Sequence, residues 1–339
     1  MYQSIGNITA KPVTSGGAGP VPTMDAAGIA SGMAFLVSEL EKRDTLVREP
    51  LTSITYPRDL PIRVGGGWVD YVSAMNVSYG VTGGSLDGPV AAGGQNGIAL
   101  VQASMDKGVY KAHAFSVGMR ILWVDMQKAN FIGRSLDQLL HEGVRLTYDK
   151  HADANAYVGL STYGTAGLVN HPDVTETTVA NGAASATQWA KKTPAEILKD
   201  VNDAITQVWA AAEYDTGAMP NHILLPYAQY THILNTMVTD LATETVLDYI
   251  LKNNVASKNG GSLYVGATSW CKGAGTASAD RMVVYVNDER FLAMDELAPL
   301  TRALTQPNAA EGCYDTAYFA NLSEVQLFYP QTVGYFDGI

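Results

Sequence analysis

Residues 135–158, SLDQLLHEGVRLTYDKHADANAYV, decide the fold. Leu136, Leu139, Leu140, Val144, Tyr148 and Ala152 recur at three- and four-residue steps, the spacing that gathers apolar side chains on one helical face. Ser135 is placed to cap this helix. At ~1.5 Å per residue it makes a rod of roughly 35 Å, well beyond the average globular helix of about 11 residues. Gly143 in its middle costs about 1 kcal/mol relative to Ala, and marks either a close approach or an exposed glycine that is merely tolerated.

Beyond the rod the chain breaks at Gly159 and Gly164 and turns through Asn170-His171-Pro172, where proline forces the preceding residue out of the helical region. Thr193-Pro194-Ala195-Glu196 then reads as a capping box with proline at the first helical position. Behind it Ile197, Leu198, Val201, Ile205, Val208 and Trp209 form an apolar stripe, predicting a second helix that ends near Gly217.

Composition narrows the function. The chain has 339 residues, enough for a core or two, and is 47% hydrophobic, which excludes a disordered chain. Charged residues make up only 16%, against about 25% in ordinary soluble domains. A surface so short of charge is most simply explained if other subunits cover much of it. No apolar run of about 18 residues and no signal-peptide pattern is present, so an intracellular, soluble product is expected. With 22 Lys and Arg against 33 Asp and Glu the net charge is −11, and no basic block argues for a sequence-reading nucleic-acid binder. Cys271 and Cys313 have neither zinc nor CxxC spacing and read as buried free thiols.

In chain order, residues 1–23 are rich in Gly, Pro, Ser and Thr and cannot build a core, and Ile29, Met33, Leu36, Val37 and Leu40 mark a helix. From Leu51 to Trp123 the pattern turns to strands, with β-rich runs at 68–74 and 98–103. Between them the glycine-dense segment 79–97 predicts a long two-stranded excursion, marginal in isolation and expected to lie on a partner. After the second helix, His222–Leu225 reads as a buried strand, Pro226 and Thr243 open helices, and 262–265 and 281–287 read as strands of a compact α/β unit. Tyr314–Tyr335 is again β-rich and is expected to return to the sheet beside the rod.

Catalytic patterns are missing. There is no Gly-x-Ser-x-Gly elbow, Walker loop or dinucleotide fingerprint, and Gly65-Gly66-Gly67 lacks a phosphate-loop lysine. His141 and His151 fall on different helix faces, and His222 with His232 lacks a third ligand, so no metal or cofactor is expected. Asp295-Glu296 reads as solvated surface.

The order of arm, helix, glycine-tipped hairpin and rod, followed by GLVNHPDVT, TPAEILKDVNDAITQVW and PNHILLPYAQY, resembles the major capsid proteins of tailed bacteriophages. The resemblance implies an α+β fold of the Hong Kong 97 type. Residues 1–50 would be an N-terminal arm and helix, 51–125 peripheral-domain strands with an extended loop at about 63–110, and 126–192 the spine helix and peripheral domain. An α/β axial domain would take 193–310, and 311–339 would return as a peripheral strand. It implies a non-enzymatic shell protein that forms hexamers and pentamers of itself and encloses double-stranded DNA without reading it. Assembly would occur in the host bacterial cytoplasm with a scaffolding protein and a portal, with room for a decoration protein, no membrane, and the virion as its final place.

Under that resemblance Trp68, Tyr71, Tyr79, Gly83, Gly84 and Leu86, with Ile29 and Met33, are the candidate inter-subunit contacts. The charged scaffolding segment that some members carry before the arm has no counterpart here, which implies a separate scaffold or a segment absent from this chain. Some members form Lys–Asn crosslinks; Lys107 and Lys111 lie near the loop's descending strand, and ordinary surface lysines are the expectation. The alternatives are an encapsulin-type nanocompartment shell and an enzyme with an unrecognised site.

Overall fold

Two five-stranded sheets share the chain, with the long helix between them. The structure, a computed structural model, describes residues 52–82, 100–131, 135–239 and 244–339, and residues 54–339 form one compact unit. The first sheet holds β1 (Ile62–Val64), β2 (Tyr71–Thr82), β3 (Leu100–Leu122), β8 (Leu292–Asn308) and β9 (Cys313–Leu327) in the order β1-β8-β9-β3-β2. The second holds β4 (Thr175–Thr178), β5 (His222–Leu225), β6 (Tyr264–Ala267), β7 (Arg281–Tyr285) and β10 (Val333–Asp337) in the order β4-β10-β7-β5-β6. The helices are α1 (Tyr56–Asp59), α2 (Trp123–Phe131), α3 (Leu136–Tyr157), α4 (Pro194–Ala211), α5 (Tyr227–Asn235), α6 (Val246–Asn253) and α7 (Val255–Lys258).

The rod is α3. Ser135 caps it by accepting from the Gln138 amide at 3.3 Å, and 22 residues at ~1.5 Å make it roughly 33 Å long. Its stripe is graded. Val144, Tyr148 and Ala152 are buried, Leu136 and Leu140 are half-buried against Met119, Ile121 and Tyr318, and Leu139 is exposed. Gly143 faces open space, so the tolerated-glycine reading holds and no close approach explains it.

Helix α4 carries the full capping box: Thr193 and Glu196 bond each other's backbone amides. Its apolar face, Ile197, Val201, Ile205 and Val208, packs on Ile223, Val284 and Phe336 of the second sheet. It stops at Ala211 and not near Gly217, because Glu213 and Tyr214 take left-handed φ of 55° and 58°. The Tyr214 amide then donates back to the Trp209 carbonyl at 2.9 Å.

The strand expectations need two corrections. The segment 311–339 is not one returning strand: β9 enters the first sheet, while β10 pairs with β7 and β4 in the second. Inside 193–310, Leu292–Asn308 is a long strand of the first sheet, paired with β9 and β1. Its acidic pair is not solvated. Asp295 is 7% exposed and meets Arg63 at 2.7 Å, and Glu296 accepts from Tyr148 Oη at 2.7 Å. The helix predicted over Ile29–Leu40 and the glycine-dense tip between residues 83 and 99 lie outside the described residues.

Candidate assembly site: a two-stranded arm on a braced long helix

β2 and β3 pair antiparallel from Tyr71↔Lys111 to Thr82↔Leu100. Alternate residues of a strand take opposite faces, so this register sorts the side chains. One face carries Tyr71, Met75, Val77 and Tyr79 of β2 with Met105 and Val109 of β3. All six are exposed, Met75 at 77% and Tyr79 at 75%. On the opposite face the four middle pairs are small or polar, Ala74↔Gly108, Asn76↔Asp106, Ser78↔Ser104 and Gly80↔Gln102, with Val72↔Tyr110 at the root and Thr82↔Leu100 at the far end. Lys107 and Lys111 sit on the apolar face, and Lys111 Nζ donates to the Tyr163 carbonyl at 2.9 Å. A two-stranded ribbon with one bare apolar face cannot satisfy its own hydrophobic surface; soluble monomers rarely leave such a patch uncovered.

The arm roots in the body through β3 itself. At Ala112 that strand leaves β2 and pairs with β9, beginning at Ala112↔Ser323. Two struts steady the root: Tyr110 Oη donates to the Leu327 carbonyl at 3.1 Å, and the Lys111 amide to Glu324 at 2.7 Å.

Behind the root, α3 is braced at its C-terminal end, where a helix leaves its last carbonyls unpaired. The segment GLVNHP supplies their partners. Leu168 and Val169 amides donate to the Ala156 and Tyr157 carbonyls at 2.9 Å each, and Asn170 Nδ2 donates to the Val158 carbonyl at 2.8 Å. This needs close approach: a Cβ on Gly167 would lie 2.2 Å from Tyr157 C. Tyr335 Oη donates to the Leu168 carbonyl at 2.7 Å and accepts from the His171 amide at 2.9 Å, tying this clasp to β10.

The other brace is α1. Asp59 is fully buried, and a buried charge requires partners. Arg58 meets it in a fork at 2.6 and 2.8 Å, Tyr157 Oη donates to its carboxylate, and Tyr285 Oη donates to its backbone carbonyl at 2.6 Å. Burial first and the Asp59 carboxylate second push the Tyr157 phenol far above its ordinary range. Asp153, one turn earlier, accepts from the Thr55 and Tyr56 amides and from Trp270 Nε1. These tyrosines and carboxylates join the long helix to both sheets.

Trp68, at 59% exposure, stands in the loop before the arm, whereas Tyr71 and Tyr79 lie on its apolar face. Gly83, Gly84, Leu86, Ile29 and Met33 lie outside the described residues. Met75, Val77, Met105 and Val109 were not singled out from sequence, although the period-two alternation through residues 71–80 carries the signal. Leu122, Trp123, Val124 and Phe131 are further exposed apolar side chains. The two thiols are free and buried. Among the described residues no group of three His, Cys, Asp or Glu is placed to hold a metal, and no helix is long and apolar enough to cross a membrane.

Comparison with known proteins agrees with this geometry. The sequence model of the major capsid protein family matches residues 89–339. No curated protein sequence matches the chain. Among solved structures, the capsid of Myoviridae phage XM1 superposes with a TM-score of 0.73 at 14% identity, over 89% of this chain and 98% of that one. Microbacterium phage Oxtober96 gives 0.61 at 11% identity, over 92% and 99%. A virus-like particle from Pyrococcus furiosus gives 0.50 at 10% identity, over 83% and 91%. The fold is thus that of the Hong Kong 97-type shell proteins, structural subunits that assemble with copies of themselves. The chain belongs to the major capsid protein family, which makes it a structural component of a virion and favours a phage-type shell over the nanocompartment alternative.

Proposed function

We propose that the chain builds a closed phage head by laying the apolar face of its β2–β3 arm on a neighbouring subunit. The observation that carries this is the one-sided polarity of the arm's middle stretch, with Tyr71, Met75, Val77 and Tyr79 bare on one face and small or polar side chains from Ala74 to Gly80 on the other. Repeated around each subunit, such contacts bury on the order of thousands of Å² at ~25 cal/mol per Å² before entropic costs, so many modest contacts sum to one stable shell. In this reading β5–β7 and their helices face the centre of hexamers and pentamers, and the first sheet lies at the rim. Trp68, Gly83, Gly84 and Leu86 extend the arm's contact, with Ile29 and Met33 contributed by the N-terminal arm. A scaffolding protein and a portal direct closure in the host cytoplasm. The net charge of −11 suits an inner wall that does not adsorb packaged double-stranded DNA.

The test is electron microscopy of the purified chain expressed alone and with its neighbouring genes. Closed shells that contain DNA only when packaging genes are present support the reading. A discrete monomer or dimer under every condition contradicts it.

A further inference from the structure

β3 changes partners at one place, between Lys111, the last residue paired with β2, and Ala112, the first paired with β9. The next residue, His113, is 9% exposed, and its ring stands 5.7 Å from that of His151 on α3, edge to face. Tyr163 stacks on the His113 ring at 5.7 Å, and Phe115 packs on the His151 ring at 5.0 Å. Neither ring nitrogen of His113, nor Nε2 of His151, has a hydrogen-bond partner. A neutral imidazole carries one donor and one acceptor, so this contact leaves buried polar groups unmet where Phe or Leu would leave none.

The surroundings do not welcome charge. A small cavity of 160 Å³ beside His113 is lined by Asp70, Tyr71, Lys111, Tyr163 and Thr165. Lys111 is spoken for by the Tyr163 carbonyl, and Glu324 of β9 accepts from the Lys111 amide. From α3 come His151, its neighbour Lys150 and Tyr148, whose hydroxyl is bonded to Glu296. Among the described residues the only histidine in an ion pair is His171, with Asp173. Burial, then the facing His151, hold the His113 imidazole well below its ordinary range, at about 4; burial also lowers His151.

We propose that the His113–His151 contact is a proton-operated latch at the root of the arm: neutral rings close β3 on the long helix, and a proton on either ring opens it. A cation there faces the other imidazole, with Lys111 and the Asp70 carboxylate both lining the cavity beside His113 and neither paired to the ring, and gains hydration by turning the root outward. The root can turn because the arm joins the body's sheet through β3 and through the glycine-rich loop 65–70 that links β1 to β2, and its struts are a few hydrogen bonds. The geometry is that of a single chain, so the proposal stands or falls separately from shell assembly.

Hydrogen exchange of the full-length chain, followed by mass spectrometry and corrected for the intrinsic pH dependence of exchange, tests it between about pH 7 and pH 4. Protection in segments 108–116 and 148–155 should fall roughly tenfold or more at acid pH while β5 and β7 stay protected. His113→Phe and His151→Phe, which keep the ring packing without the proton, should hold that protection. Unchanged wild-type protection at both segments overturns the proposal without any variant. Loss shared equally by β5 and β7 overturns it as global acid unfolding, and so does an equal loss in folded Phe variants.

Discussion

Arg281 and Asp337 face each other across β7 and β10 with both side chains out of water, Nε to Oδ1 at 2.7 Å and Nη2 to Oδ2 at 2.9 Å. The same guanidinium donates to the Val169 carbonyl at 2.8 Å and to Glu176 at 2.6 Å, and lies 4.3 Å over the Tyr335 ring. One side chain therefore fastens β4, β7, β10 and the clasp on the end of α3.

Arg281→Met leaves Asp337 buried without its partner and should cost roughly 3–5 kcal/mol in denaturant unfolding of the unassembled chain. Arg281→Lys keeps the charge but loses the planar fork, so it should restore only part of that. A loss below about 1 kcal/mol for the Met variant would mean the second sheet does not depend on this junction.

Two glycines near the same helix should respond in opposite directions. Gly143 is exposed with nothing near its missing Cβ, so Gly143→Ala should stabilise the unassembled chain by up to about 1 kcal/mol. Gly167 abuts the Tyr157 backbone, so Gly167→Ala should push the clasp off the helix end and cost more than about 4 kcal/mol or prevent folding. Thermal unfolding of both variants checks the pair, and a native-like melting point for Gly167→Ala would contradict the clasp.

Acid should weaken the folded chain through His113. Its imidazole is held at about 4 against an ordinary 6.5, so below 6.5 the unfolded chain binds that proton first. The contribution is absent at neutral pH and grows to about 3 kcal/mol of lost stability as pH falls to 4. Asp153 and Asp200, raised by burial, work the other way, and the clean readout is therefore a difference. Between pH 6.5 and 4, His113→Phe should lose stability less steeply than wild type in urea titrations; identical slopes would mean the ring reaches water in the folded chain.

Both long helices were legible because their signals are local. Ser135 and the Thr193–Glu196 box fix the starts of α3 and α4 to the residue, and the apolar period fixes their buried faces. β8 was not legible. Asp295-Glu296 reads as solvated surface, yet β9 imposes a strand there, with a register shift between Ala298 and Thr301 that accommodates Pro299. Asp295 looked solvated because Arg63, its partner, lies 232 residues away. The arm was legible as a strand pair, but its working face needed the register, which the sequence does not state.

The most direct test of the account is face-specific. Val77 and Met105 are cross-strand partners on the apolar face, while Ser78 and Ser104 are partners on the other. All are exposed, so aspartate at any of them should change unassembled stability by less than about 0.5 kcal/mol. Negative-stain microscopy of co-expressed particles should show no closed shells for Val77→Asp with Met105→Asp and normal shells for Ser78→Asp with Ser104→Asp. Normal shells from the first pair would contradict the claim that this face holds subunits together.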